Sequence, residues 1–252
     1  MTQDERRVWL IKALLNELGY RYAIPQDVFE QKRLLRGLFN VRPPKEANDE
    51  FLAVQDAYLS EATREKGVTK LSDLTASRPH QYLWQGDITT LAVDAIVNAA
   101  NSQLLGCFTP NHACIDNAIH TYAGAELRLA CNEIMQKQGH EEPTGGVKIT
   151  PGFNLPAKYV LHTVGPIVSG RLSERHCRLL ASCYTSCLDL AAKYGLHSVA
   201  FCCISTGVFG FPQKEAAEIA VETVAAFQKD HPIDVVFNVF RESDLRIYQA
   251  LL

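Results

Sequence analysis

Residues 198–212 read Ser198-Val199-Ala200-Phe201-Cys202-Cys203-Ile204-Ser205-Thr206-Gly207-Val208-Phe209-Gly210-Phe211-Pro212, and this stretch decides the fold. The apolar run over 198–203 has the length and residue types of a buried strand. A loop with two glycines follows, and Pro212 opens a helical pattern over 213–228. Strand, glycine loop and helix together form the repeating unit of a layered α/β protein. Ligands in such folds gather beyond strand C-termini, where loops meet helix N-termini. The same alternation extends outward in both directions. Strand-like runs cover 82–84, 95–97, 147–150, 159–163 and 235–239, and helical patterns cover 114–136, 173–194 and 244–251. An α/β layer sandwich with helices on both faces of its sheet is expected.

Upstream of residue 80 the pattern changes. Three helices are expected, over 5–18, 26–38 and 47–65, the second started by Pro25. In the first, Val8, Ile11, Leu14, Leu15 and Leu18 form one apolar stripe, widened by Trp9 and Leu10. Val41-Arg42-Pro43-Pro44 breaks the second from the third, which carries Phe51, Leu52, Val54, Tyr58 and Leu59. No charged or polar pair here stands at a catalytic spacing. Residues 1–78 are therefore expected to form a helical N-terminal extension to an α/β domain over 79–252. Extra core is one reading of it; a lid or partner surface is the other.

Composition removes some functions. With 25 basic and 28 acidic residues the net charge is −3. A nucleic-acid polymer is not an expected partner, because such proteins carry a basic footprint. No stretch approaches the ~18 apolar residues of a membrane span. The opening MTQDERRVWL is charged and lacks a signal-peptide core. A cytoplasmic location follows as the expectation, with the 8 cysteines reduced rather than paired. Cys183, Cys187, Cys202 and Cys203 read as small buried hydrophobes, and Cys131 and Cys177 have no ligand-like neighbour at useful spacing.

Four loops carry chemistry. Gly86-Asp87-Ile88-Thr89 offers a carboxylate that can accept from an amino group, or simply cap a turn. Val97-Asn98-Ala99-Ala100-Asn101 offers two amides suited to ribose hydroxyls, or to Asx turns. Cys107-Phe108-Thr109-Pro110-Asn111-His112-Ala113-Cys114 places three soft donors within eight residues. Three protein donors suit a zinc ion with an open fourth position; two buried thiols and an incidental histidine are the plain alternative. Ile115-Asp116-Asn117-Ala118-Ile119-His120 puts Asp116 at a helix start, as a base or as a cap, with His120 one turn on in a packing or supporting role. The loop Ser205 to Pro212 can form an anion-binding nest at a helix N-terminus, with Phe209 able to stack on a sugar or base.

In order and spacing Gly86 to Thr89, Val97 to Asn101, Ile115 to His120 and Ser205 to Pro212 resemble the macrodomain family. Gly145-Gly146-Val147-Lys148-Ile149-Thr150-Pro151-Gly152 and Val160-Leu161-His162-Thr163-Val164-Gly165-Pro166 add to the likeness, which runs from about residue 81 to the end. The resemblance implies a three-layer α/β/α macrodomain with a mixed central sheet. It is nearest to MacroD-type hydrolases, with one departure: Cys107 to Cys114 replaces the usual glycine run. That replacement resembles the zinc-dependent macrodomains, which also carry a helical N-terminal extension.

The resemblance implies one zinc ion per chain, held by Cys107, His112 and Cys114. It implies ADP-ribose binding by Asp87, Ile88, Asn98, Asn101, Ile115, Asp116, Ser205, Thr206, Gly207, Val208 and Phe209. Asp87 and Ile88 would take the adenine, and Ser205 to Phe209 the diphosphate. Asn101 and Asp116 would serve catalysis at the distal ribose. The implied activity is hydrolysis of mono-ADP-ribose from proteins, through an Asp or Glu linkage. A lipoyl-carrier protein modified by a sirtuin-type transferase is the implied partner. A non-catalytic ADP-ribose reader and an O-acetyl-ADP-ribose deacetylase stay open as alternatives.

Overall fold

Ser198–Phe201 forms a strand buried at all four positions, and Gln213–Phe227 the helix after its loop. The structure, a computed structural model describing residues 1–252, repeats that unit across the second part of the chain. In order the elements are α1 (Gln3–Leu18), α2 (Val28–Val41), α3 (Asp49–Lys66), β1 (Thr69–Lys70), β2 (Ala76–Arg78), β3 (Gln81–Gln85), β4 (Leu91–Ala92), β5 (Ala95–Ala100), α4 (Ile115–Ala123), α5 (Ala125–Gln138), β6 (Val147–Pro151), β7 (Tyr159–Val164), α6 (Glu174–Lys193), β8 (Ser198–Phe201), α7 (Gln213–Phe227), β9 (Asp234–Val239) and α8 (Glu242–Leu251).

The main sheet has the order β2-β3-β9-β8-β5-β7-β6. Its five inner strands are parallel, and β2 and β6 close the edges antiparallel. A mixed sheet of this kind is buried on both faces, which explains the near-continuous apolar runs. Chain direction sorts the helices. From β5 to β6 the chain moves toward one edge, and from β7 through β8 to β9 toward the other. Right-handed crossovers between parallel strands place α6 and α7 on one face, with α8 packed on α7, and α4 and α5, packed on each other, cover the other face. This is the expected three-layer arrangement.

Two apolar clusters exist. Forty buried residues fill the sandwich, among them Ile96, Val97, Leu161, Phe201 and Phe237. Eleven others, including Leu10, Leu14, Leu35, Phe39, Phe51 and Leu59, form a separate core among α1, α2 and α3. Helices α2 and α3 rest on α4. Residues 69–78 connect the units while pairing with the second: β1 pairs with β4 and β2 with β3.

Three details differ from the sequence reading. The single helix expected over 114–136 is two helices meeting at Gly124, where φ is 99°. A Cβ there would stand 2.7 Å from the Gln55 amide, so α3 packs against the break. Helix α2 starts later than Pro25 suggested, because Asp27 accepts the N–H of Glu30 at 2.9 Å and caps it. The strand over 198–203 ends at Phe201, where the loop backbone turns away. No helix is long and apolar enough to cross a membrane.

Candidate functional site

Parallel strands deliver their C-terminal ends to one rim. Residues 86–89 leave β3, 101–114 leave β5, 165–172 leave β7, 202–212 leave β8, and Phe240 follows β9. All four loops singled out in the sequence therefore meet on one side of the sheet.

Asp116 lies in the first turn of α4 and is 5% exposed. The helix cap is Cys114, whose Sγ accepts the N–H of Asn117 at 3.4 Å. Asp116 is thus free of the capping role. Its Oδ1 accepts from Asn98 Nδ2 at 2.8 Å, and its Oδ2 from Asn101 Nδ2 at 3.4 Å. Asn101 Nδ2 also donates to the Gly106 carbonyl at 3.1 Å, tying β5 to the following loop. Burial pushes the Asp116 carboxyl up to about 6, against the pull of Asn98 and of the Arg128 charge. Asn98 is fully buried and its Oδ1 has no partner.

Cys107, His112 and Cys114 come together, their donor atoms all within 4.8 Å of one another. Cys107 Sγ and His112 Nδ1 are 3.6 Å apart. Tetrahedral zinc with bonds of about 2.3 Å to sulfur and about 2.0–2.1 Å to nitrogen separates such donors by about 3.6 Å. Burial pushes the Cys114 thiol up to about 12, so its thiolate requires a cationic partner. The donor set and its spacing fit zinc.

The loop after β8 is shaped for an anion. Ser205 has φ 65°, and its buried Oγ has no hydrogen-bond partner. Phe211 N–H bonds the Ser205 carbonyl at 3.0 Å, and Val168 N–H bonds that of Phe209 at 2.8 Å, which fixes the loop. The N–H groups of Gly207, Val208 and Phe209 donate to no backbone acceptor. Val208 is 81% exposed, and Thr206 is half-buried. Gly165 supports the loop from β7. A Cβ there would stand 2.8 Å from Ile204 Cγ2 and nearer still to Ser205 Oγ.

At the other end Asp87 accepts on Oδ1 from Thr89 N–H at 3.0 Å and Thr89 Oγ1–H at 2.6 Å. Its Oδ2 takes Lys66 Nζ at 2.7 Å. Burial raises the Asp87 carboxyl, but the Lys66 and Thr89 bonds outweigh it and hold the group below the ordinary range. Ile88 is core, 1% exposed, whereas Ile115 is half-buried beside Asp116.

Several neighbours of the site escaped the sequence reading. Phe240 is 77% exposed directly after β9, and Gly86 N–H bonds the Val239 carbonyl at 3.0 Å, so Phe240 leaves the sheet beside Asp87. Lys66 arrives from α3 and lies 3.2 Å from the centre of the Tyr122 ring. Arg36 arrives from α2. Cys131 does have ligand-like neighbours: with His120 and His162 it forms a second group of donors within 4.8 Å, all buried. His162 Nε2 lies 2.9 Å from Thr150 Oγ1 and Nδ1 lies 3.2 Å from Asn98 Nδ2, while burial drives its pKa down to about 3. His120, 3.6 Å from Asp116 Oδ1, is likewise held neutral by burial. It stands apart from the Cys107 group, and neither of its ring nitrogens has a hydrogen-bond partner.

A family model described as the Macro domain matches residues 97–220. The protein-ADP-ribose hydrolase of Treponema medium is 58% identical to this chain over 260 residues, covering 100% of both. That of Staphylococcus aureus (strain MSSA476) is 55% identical over 228 residues, covering 89% of this chain and 84% of that protein. A crystal structure of the Trypanosoma brucei macrodomain in complex with ADP-ribose is 33% identical, with TM-score 0.67 over 82% of this chain and 91% of that one.

Proposed function

This chain belongs to the macrodomain family and is a hydrolase, and we propose that it removes mono-ADP-ribose from modified proteins with the help of one zinc ion. One observation carries the reading. The Cys107–His112–Cys114 group and the Asp116 carboxylate share one end of the rim, joined through Asn101 and the first turn of α4.

In this reading ADP-ribose lies along the strand ends. Asp87 accepts from the adenine amino group, with the Ile88 backbone beside it and the exposed face of Phe240 under the base. The free N–H groups of Gly207, Val208 and Phe209, with Ser205 Oγ and Thr206, receive the diphosphate at the N-terminus of α7. The distal ribose then reaches Asn101, Ile115 and Asp116.

Zinc held by Cys107, His112 and Cys114 would polarise a ribose hydroxyl or a water and lower its pKa toward about 7. The chain's own residues direct the proton. Asn98 fixes the Asp116 carboxylate from the β5 side, and Asn101 holds its second oxygen. Asp116 then accepts the proton of a water that attacks the anomeric carbon of the distal ribose, as the bond from that carbon to the protein carboxylate breaks and the carboxylate departs. A linkage through Asp or Glu is part of the proposal, since a carboxylate leaves without prior protonation. So is cytoplasmic action on a lipoyl-carrier protein modified by a sirtuin-type transferase. Support for that partner is the family resemblance.

The test incubates the protein with carrier protein and peptides mono-ADP-ribosylated on Glu/Asp, Ser or Arg, and with O-acetyl-ADP-ribose, each with and without a chelator. Release of ADP-ribose from Glu/Asp-linked substrate, abolished by the chelator and restored by zinc, is expected. Tight ADP-ribose binding with no release from any substrate would make the protein a reader instead.

A further inference from the structure

The loop that carries the candidate metal ligands is held from outside the sandwich. Arg36 on α2 donates from Nε and Nη2 to Asn117 Oδ1, at 3.2 and 2.8 Å. Its Nη2 also donates to the His112 carbonyl at 3.2 Å. Asn117 is fully buried, and its Nδ2 donates to the carbonyls of Cys107 at 3.4 Å and Thr109 at 3.1 Å. Its backbone N–H reaches Cys114 Sγ at 3.4 Å. Each of the three ligand residues therefore lies one or two hydrogen bonds from a single guanidinium.

The rest of α2 adds to the grip. Asn40 Oδ1 accepts the N–H of Asn111 at 2.9 Å, and Asn40 Nδ2 donates to Thr121 Oγ1 at 2.9 Å. Asn111 sits at φ 56°, an uncommon conformation held by that contact. A Cβ on Gly37 would lie 3.3 Å from Asn111 Nδ2, so helix and loop touch closely. The loop itself has little internal structure: within 104–114 the N–H groups of Leu104 and His112 alone reach backbone acceptors. A loop so loosely tied would lose conformational freedom on closing round an ion, unless something ordered it beforehand.

We propose that Arg36, acting through Asn117, is a positioning residue that preorganises the metal-ligand loop, and that the helical extension serves as its brace. The inference rests on the zinc reading above, but the brace itself is a property of the metal-free chain. A lysine could replace the arginine only in part, because one ammonium cannot span Asn117 and the His112 carbonyl in a fixed fork. Removing a partner that holds a metal ligand typically weakens metal affinity by about 10–100-fold.

The test compares the full chain with its Arg36→Gln and Arg36→Lys variants. Zinc affinity is read by competition with a chromophoric chelator. Hydrogen exchange over residues 104–114 is read on the metal-free proteins. Arg36→Gln should weaken zinc binding by about 10–100-fold and speed exchange in the loop, leaving β5 and α5 unchanged; Arg36→Lys should fall between. Parental exchange in that loop, or equal acceleration throughout the sandwich, overturns the brace whatever zinc does. A parent chain that binds no zinc would sink the metal reading alone, and the exchange comparison would still decide the role of Arg36.

Discussion

Asp116→Asn changes one atom at the centre of the rim, and the surroundings dictate how the amide settles. Its NH2 cannot occupy the Oδ1 position, where Asn98 Nδ2 already donates from 2.8 Å. It must take the Oδ2 position, opposite Asn101 Nδ2 at 3.4 Å, so one long hydrogen bond becomes a donor–donor contact. Losing one such bond costs about 1 kcal/mol of stability, and the side-chain volume is unchanged. Turnover should respond far more. A positioned general base is worth about 10²–10⁴-fold, or roughly 3–5 kcal/mol at the transition state. Calorimetry should show an ADP-ribose Kd within about fivefold of the parent, the factor that corresponds to 1 kcal/mol. Single-turnover release of ADP-ribose should be slowed by about 10²-fold or more. A variant retaining over about a tenth of the parent rate would refute Asp116 as base. So would a loss of binding equal to the loss of rate, which would make the residue a ligand contact only.

Gly165→Ala drives a methyl into Ser205 and toward Ile204 Cγ2, 2.8 Å away. Overpacking of this kind costs about 1–3 kcal/mol, so a thermal scan should show a lower Tm and calorimetry an ADP-ribose Kd raised by about tenfold. Asp87→Asn removes the charge that faces Lys66 and, in the proposed pose, the adenine amino group. Its Kd should rise by about tenfold, the effect of a charge-assisted bond, with kcat at saturating substrate unchanged. Asp94, at the opposite end of β5, accepts from Lys158 Nζ and His197 N–H, each at 2.8 Å. Burial raises its carboxyl, but these bonds overcome it and hold the group below the ordinary range. A depressed folded-state pKa gives stability that is present above about pH 4 and fades as pH falls below it. Asp94→Asn should therefore unfold at lower denaturant near pH 7, with the gap closing below about pH 4 and activity unaffected.

Much of the site was legible because its parts are contiguous. A strand, a loop with special residues and a helix appear in that order in the chain, and parallel strands bring all such loops to one rim. Cys107, His112 and Cys114 lie within eight residues, and the loop folds back on itself to join them. What escaped was joined across long separations. Arg36 meets Asn117 from 81 residues away, and Lys66 meets Asp87 from the far end of α3. Apolar periodicity reports that a helix face is buried, but not against what. The sequence pattern placed α2 and α3 as helices and was silent on the polar residues that reach the site. Gly124 sat inside an apolar pattern that ran through it, so only the packing of Gln55 reveals the break. Cys131 had no ligand-like neighbour in sequence because its partners lie on α4 and β7. Phe240 carried no signal, since one aromatic after a strand is ordinary.

The proposed chemistry takes place where the thiol–imidazole loop meets Asp116. Anomalous scattering at the zinc edge, from crystals soaked with ADP-ribose, tests that junction directly. One peak should lie among Cys107 Sγ, His112 Nδ1 and Cys114 Sγ, next to the distal sugar. Crystals of fully active protein with the sugar in place and no peak there would contradict it.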